Sequence, residues 1–253
     1  VKQLYPLFLL LFVLGISELT AQQVRFDAAN DLLEEQQYAE AIEQFKAIAD
    51  EGYHAGALWL NMGIAYARLD SLGKAKFYLL KAKEYSDTEE LASESLSIVE
   101  NRFSRRSAVL PKLPWEQFLE WLDRILGING LVVIALLFLN AGAGFLLASW
   151  FHPGLKKFYR RSGYTVALLS FLLLSTSYYI HLTHSWYGTG VMIDRQTTVH
   201  NEPNSESAAV STAYEGYSMR VDHRQSATTE EWSYIRLENG RYGWIRSSSI
   251  LVY

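Results

Sequence analysis

Two stretches of this chain contain no Asp, Glu, Lys or Arg, and they limit every other choice the sequence can make. The first lies between Arg124 and Lys156, the second between Arg161 and Asp194. Their apolar cores are GINGLVVIALLFLNAGAGFLLAS (Gly127 to Ser149) and GYTVALLSFLLLSTSYYIHL (Gly163 to Leu182). Each supplies the roughly 20 residues that a helix needs to cross a bilayer core. Trp121, Trp150, Trp186 and Tyr187 stand near the ends, where amphipathic rings favour the headgroup layer. A helical hairpin buried in a soluble core is the alternative, but two such runs with aromatic ends are hard to hide. The pattern predicts transmembrane helices at 127–150 and 163–186.

The segment that joins them, residues 151–162, holds Lys156, Lys157, Arg160 and Arg161, with a turn at His152-Pro153-Gly154. Net charge is −4, so these four cations are a local excess and no nucleic-acid partner is expected. Short loops rich in Lys and Arg stay cytoplasmic, which sends both flanking parts outward. An independent signal agrees. Lys2, the apolar run LYPLFLLLFVLGI and then SELTAQ read as a signal peptide over 1–21, with an uncleaved anchor as the alternative. The chain has no Cys, which removes disulfides, thiol nucleophiles and Cys-ligated zinc together.

Residues 22–104 repeat at a spacing of 34: Tyr38 with Leu72, Ala41 with Ala75, Phe45 with Leu79, Ile48 with Ala82. Trp59, Met62, Gly63, Tyr66, Ala75 and Ala82 stand at the spacing of a tetratricopeptide repeat, in which small residues let paired helices approach. The first copy has Arg25 and Ala29 where Trp and Gly fall, and DTEELASESLSIVENRF looks like a capping helix. The region resembles two such repeats plus a cap. Asn30 and Asn61 match the asparagines of the carboxylate clamp some repeats use, but its cationic positions fall on Phe26, Leu91 and Ser95, so no clamp is expected. The concave surface is expected at Phe26, Asn30, Leu33, Leu60, Asn61, Ile64 and Arg68, as a protein-binding groove or as packing between helices.

Residues 105–126 form a linker and an amphipathic elbow. AVLPKLP resists helix before its prolines, and WEQFLEWLDRIL sets Trp115, Phe118, Leu119, Leu122, Ile125 and Leu126 on one face. The opposite face carries Glu116, Glu120 and Asp123, an acidic surface that predicts packing on protein more than on lipid. In the spans, Asn140, Gly144 and Ala148 recur every four residues, a stripe expected to pack the hairpin with Asn140 bonded to a hydroxyl of the second span. His181 and His184 make an incomplete metal site, and neither metal nor cofactor is expected.

Residues 187–253 alternate β-formers with turn residues, and Asn239-Gly240 predicts a two-residue hairpin turn. VHNEPNSESAAV, YEGYSMRV and WSYIRLENGRYGWI resemble the bacterial SH3-like domain, with Pro203, Gly216, Trp232, Gly240, Gly243 and Trp244 on its pattern. That resemblance implies a small barrel that binds peptide or cell-wall ligands. Tyr214, Tyr217, Trp232, Tyr234, Tyr242 and Trp244 are the candidate ligand surface, shared with the core.

The expected fold class is therefore a multidomain membrane protein: an all-α tetratricopeptide-repeat domain, a two-helix transmembrane hairpin and a small all-β SH3-like barrel. This order, with the elbow PWEQFLEWLDRILGING, resembles the BatE family of the Bacteroides aerotolerance operon. The resemblance implies a bacterial inner-membrane location, both folded domains periplasmic, and company with von Willebrand factor A domain membrane proteins and a MoxR-type ATPase. It implies a non-enzymatic scaffold in oxidative or envelope stress tolerance. A peptidoglycan-binding envelope sensor is the alternative. The orientation is testable because the chain lacks Cys. Single Ser86→Cys and Ser205→Cys variants are expected to react with a membrane-impermeant maleimide in intact spheroplasts, and Ser162→Cys only after the membrane is opened; labelling confined to Ser162→Cys in sealed cells inverts the orientation.

Overall fold

The computed structural model describes residues 22–105 and 107–253; the segment read as a signal peptide lies outside the described residues. The chain forms two compact units, one comprising residues up to Ala108 together with Thr189–Tyr253, the other Val109–Gly188.

The first unit begins with five helices: α1 over residues 22–34, α2 Tyr38–Asp50, α3 Gly56–Arg68, α4 Leu72–Lys83 and α5 Glu89–Arg102. The 34-residue sequence period reappears in the backbone. Gln36 and Asp70, 34 residues apart, both take positive φ (64° and 58°) in the turns after α1 and α3. The hydrogen bonds around them also match: Gln37 N donates to Leu32 O (2.8 Å) as Ser71 N does to Tyr66 O (3.0 Å). Both turns thus close a helix with the same left-handed cap, which returns the chain along its partner. Ala41 and Ala75, Phe45 and Leu79, Ile48 and Ala82 are all buried in one core with Trp59 and Met62. At Gly63 a Cβ would meet the Leu79 side chain at 2.7 Å, so α3 and α4 touch where no side chain intervenes.

Seven strands follow: β1 Tyr187–Met192, β2 Gln196–His200, β3 Ala209–Tyr214, β4 Ser218–Asp222, β5 Trp232–Leu237, β6 Tyr242–Arg246 and β7 Ile250–Val252. They form one sheet, in the order β3-β2-β6-β5-β4-β1-β7. Val199, Ala213, Met219, Val221, Ile235, Leu237, Ile245 and Ile250 fill its inner face with Met192. The hairpin turn differs from the expected two-residue form. It spans Glu238–Arg241, because the Asn239 side chain accepts from Arg241 N (3.1 Å) and Leu237 N donates to Arg241 O (2.9 Å).

This sheet is seated on the helices. Gly73 N, at the start of α4, donates to Glu215 Oε1 (2.8 Å), so a carboxylate from the β3–β4 turn satisfies an amide that the helix itself leaves open. Gly73 lies against the Met192 carbonyl and Ile193, and Gly216, at φ 80°, lies against the Phe103 ring. Tyr253 meets Phe77 of α4 edge-on at 5.4 Å.

The second unit holds α6 (Pro114–Phe151) and α7 (Lys156–Trp186), which among the described residues are the two helices long and apolar enough to cross a membrane. Helix α6 is two segments meeting at Gly127, whose φ 62° and ψ 173° form a conformation almost confined to glycine. The break separates the elbow from the apolar run. Beyond it, Ala135, Gly142 and Ser149 of α6 and Gly163, Ser170 and Ser177 of α7 are buried. Ser170 Oγ donates to Ala135 O (2.7 Å) and Ser177 Oγ to Ile128 O (3.2 Å). The packing stripe is thus not Asn140, Gly144 and Ala148. Asn140 is exposed and donates to Leu136 O of its own helix (2.8 Å), nothing lies within 4 Å of a Cβ at Gly144, and Ala148 is only half-buried. The reason is angular: a row spaced by seven drifts about 20° per step around a helix, one spaced by four about 40°, so the former keeps small residues at a straight seam.

The glycine contacts make the seat of the sheet testable. Gly73→Val or Gly216→Val is expected to cost roughly 1–3 kcal/mol by overpacking. Calorimetry of the detergent-solubilised chain should show sheet and helices melting separately in the variants; an unchanged single transition at the parental Tm refutes the interlock.

Candidate functional site

Strands β5 and β6 alternate strictly, and their register brings the outward residues into three cross-strand pairs: Trp232 with Arg246, Tyr234 with Trp244, Arg236 with Tyr242. Every outward position on these two strands is Trp, Tyr or Arg. Each pair is in contact. The Arg246 guanidinium stands 5.3 Å from the Trp232 ring centre, Arg236 stands 5.3 Å from that of Tyr242, and Tyr234 meets Trp244 edge-on at 5.2 Å. Tyr234 also stacks on Tyr242 at 6.4 Å. Exposure rises along the ladder. Trp232 is buried under Arg246 and against the His200 ring, Tyr234 and Trp244 are half-buried, and Tyr242 is 50 % exposed. Chemically this is a rigid surface of π-faces with guanidinium donors at both ends, suited to planar or carboxylate-bearing groups.

Four of the six aromatic residues singled out in the sequence therefore meet here, and two do not. Tyr214 accepts a hydrogen bond from Arg105 Nη1 (2.8 Å), whose guanidinium also lies 4.4 Å from its ring centre; this ties the segment after α5 to β3. Tyr217 packs against the inner core of the sheet and against Tyr214 at 5.6 Å. Both serve the seat of the sheet on the helices. Arg236 and Arg246 were the members that the sequence reading passed over, although the alternation in WSYIRL and YGWIR carries them once the hairpin is in register.

The repeat-groove residues divide in the same way. Asn61 Nδ2 donates to Asn30 Oδ1 (2.7 Å), so the two asparagines satisfy each other across α1 and α3. Phe26 packs on Phe45 at 5.8 Å, Leu33 and Ile64 lean on the helical core, and Leu60 is only 7 % exposed. Arg68 is the exposed end of the predicted groove, Ile64 one turn before it is half-buried, and Leu60 is core.

A column of rings runs through the outer helices: His54 on Trp59 (5.4 Å), Trp59 on Tyr78 (5.9 Å), Tyr78 on Tyr66 (5.3 Å). Lys81 Nζ sits 3.6 Å from the Trp59 ring centre, and burial lowers its pKa despite Glu84 nearby. Among the described residues no three His, Asp or Glu side chains gather to hold a metal ion. No family model matches the chain, and neither does any curated protein.

Burial pushes the Tyr78 phenol up to about 12, with Tyr66 adding to it, and does the same to Tyr253, where Glu84 adds. A raised phenol pKa means the folded state holds its proton more tightly than the unfolded one. The associated stability is fully present below the ordinary value near 10 and is lost as pH rises towards 12. Ultraviolet titration should find both phenols ionising well above the ordinary value near 10, and Tyr78→Phe with Tyr253→Phe should flatten the alkaline fall in Tm; ionisation of both at the ordinary value contradicts their burial.

Proposed function

We propose that this chain is a non-enzymatic adaptor of a bacterial envelope, held in the inner membrane by α6 and α7, with its helical array and its sheet on the periplasmic face. The observation that carries the reading is the ladder on β5 and β6. Trp, Tyr and Arg are the side chains that dominate binding hot spots, and five of them, Tyr234, Arg236, Tyr242, Trp244 and Arg246, stand accessible around the buried Trp232 on a sheet braced by the helices. The 34-residue register of the turns supports reading the array as two tetratricopeptide repeats with a cap. The short antiparallel strands around a single core support an SH3-like module.

Location follows a related argument. Residues before α6 and after α7 belong to one compact unit, and they can meet only if the hairpin leaves and returns on the same side. An even number of crossings, with Lys156, Lys157, Arg160 and Arg161 at the turn, favours that side being outside. Together with the order of the segments, this supports the resemblance to the BatE family and hence partners among von Willebrand factor A domain membrane proteins, serving a complex that includes a MoxR-type ATPase.

The test is co-purification from solubilised membranes. Arg236→Ala with Tyr242→Ala removes the exposed end of the ladder, and Ile64→Glu with Arg68→Glu alters the accessible end of the groove; neither pair empties the core. One pair or the other is expected to lower recovery of a von Willebrand factor A domain protein at least about tenfold, the loss of 1.4 kcal/mol or more, with Tm unchanged. Unchanged recovery in both counts against the adaptor. The exposed rings and guanidinium groups would also suit a carboxylate-bearing glycopeptide, so retention of muropeptides by the parent chain and not by the ladder variant supports the sensor reading in its place.

A further inference from the structure

The elbow, the part of α6 before Gly127, presents a surface that neither the adaptor reading nor the hairpin seam uses. Trp115, Phe118, Trp121 and Ile125 are 61, 57, 54 and 58 % exposed. At 100° per residue they fall within about 120° of arc, and Phe118 stacks on Trp121 at 5.8 Å. Four large apolar side chains on three turns of helix form a patch that water does not tolerate uncovered. We propose that this face is seated in lipid at the outer membrane–water interface, so that the elbow is an interfacial helix that turns at Gly127 into the first span. The proposal rests on the membrane reading of α6 and α7.

Three observations select lipid as the occupant. The first is continuity: the same helix passes through Gly127 directly into the apolar span, so the elbow ends at the boundary of the apolar layer. The second is composition, since Trp and Phe beside Ile and Leu are what the headgroup–acyl boundary accepts. The third concerns the acidic polar face, whose carboxylates are held within the unit and not left free towards the lipid. Each acid is held by a partner on its own unit. Lys112 Nζ lies 2.7 Å from Glu120, Leu113 N donates to Glu116 Oε2 (3.0 Å) as the helix begins, and His184 Nε2 lies 3.1 Å from Asp123. Lys112 and Arg124 offset two of these three acids, so the elbow presents only a small anionic excess to lipid headgroups. The Asp123–His184 contact further ties the elbow to the end of α7, which fixes the rotation of its apolar face.

The absence of Cys permits a direct measurement on the full chain. Phe118→Cys on the apolar face, Gln117→Cys on the polar face and Leu137→Cys in the span are each labelled with a nitroxide. The chain is reconstituted in vesicles of phosphatidylcholine and phosphatidylglycerol. The ratio of oxygen to nickel-chelate collision rates is expected to be roughly tenfold higher at position 118 than at 117, and high at 137, as apolar depth favours oxygen and excludes the chelate. If 137 reads as lipid while 118 and 117 are equally open to nickel, the elbow lies in water and the proposal is overturned with the spans intact. If 137 reads as lipid while 118 is shielded from both reagents, protein covers the face and the proposal is likewise overturned. A low ratio at 137 defeats the membrane reading itself.

Discussion

Among the described residues, helices α6 and α7 pack extensively on each other and still leave most of their apolar surface open. In the most apolar window of either helix only 17 % is buried by the protein. Because the small residues Ala135, Gly142, Gly163 and Ser170 are consumed by the seam, the bulky ones, among them Leu137, Leu139, Leu147, Phe171 and Leu172, are left on the outside. Each helix has the length and composition that would let it cross a bilayer. The polar side chains on the same surface behave accordingly. Asn140, Thr165, Ser175 and Thr176 each donate to the carbonyl four residues earlier, on Leu136, Arg161, Phe171 and Leu172, at 2.8–2.9 Å. Groups that would bond water elsewhere are satisfied within their own helix, as a medium without hydrogen-bond partners demands.

The hairpin interrupts a body that is otherwise continuous. Glu215 reaches Gly73 across 142 residues of chain, and Phe103 packs on Gly216 with the whole of α6 and α7 lying between them in sequence. Both contacts depend on glycine, at Gly73 to admit the Met192 carbonyl and at Gly216 to adopt φ 80° under a ring. The seat is therefore specific. A sheet held to the helices at both Gly73 and Gly216 is braced against the array rather than tethered to it. Its outer face is presented at a fixed attitude to the helical array, which lowers the entropy lost when a ligand engages the ladder.

Local periodicity made most of this legible in the sequence; what it missed depends on contacts between distant segments. The 34-residue period and the pairs Ala41–Ala75 and Phe45–Leu79 gave the helical array its two copies, because such residues mark where helices pack. The positive φ at Gln36 and Asp70 was hidden, since neither is glycine and tertiary packing holds the turn. The uncharged runs marked both long helices, yet the seam was misplaced by two residues, from Gly142 to Gly144, because the partner's register sets the seam. Leu60 looked like groove and Trp232 like ligand surface for a similar reason: a helix or strand face predicts direction, while burial depends on what lies opposite, here the helical core and Arg246. The seat of the sheet left no local trace at all. Glu215 and Phe103 are ordinary residues until the fold brings them to glycines.

The ladder shows what that opposite surface does for binding. Trp232 at its closed end is wedged between His200 and Arg246, so its ring is fixed and its removal would open the core. Tyr242 at its open end is held only by Tyr234 and Arg236, on the same exposed face. Arg236 has Arg220 directly opposite on β4, so two guanidinium groups share one level of the sheet. On the function proposed above, an anionic ligand would meet an aromatic platform already ordered by its cross-strand contacts. Binding therefore needs little rearrangement of the sheet, which is the condition under which a small, half-buried surface discriminates among ligands.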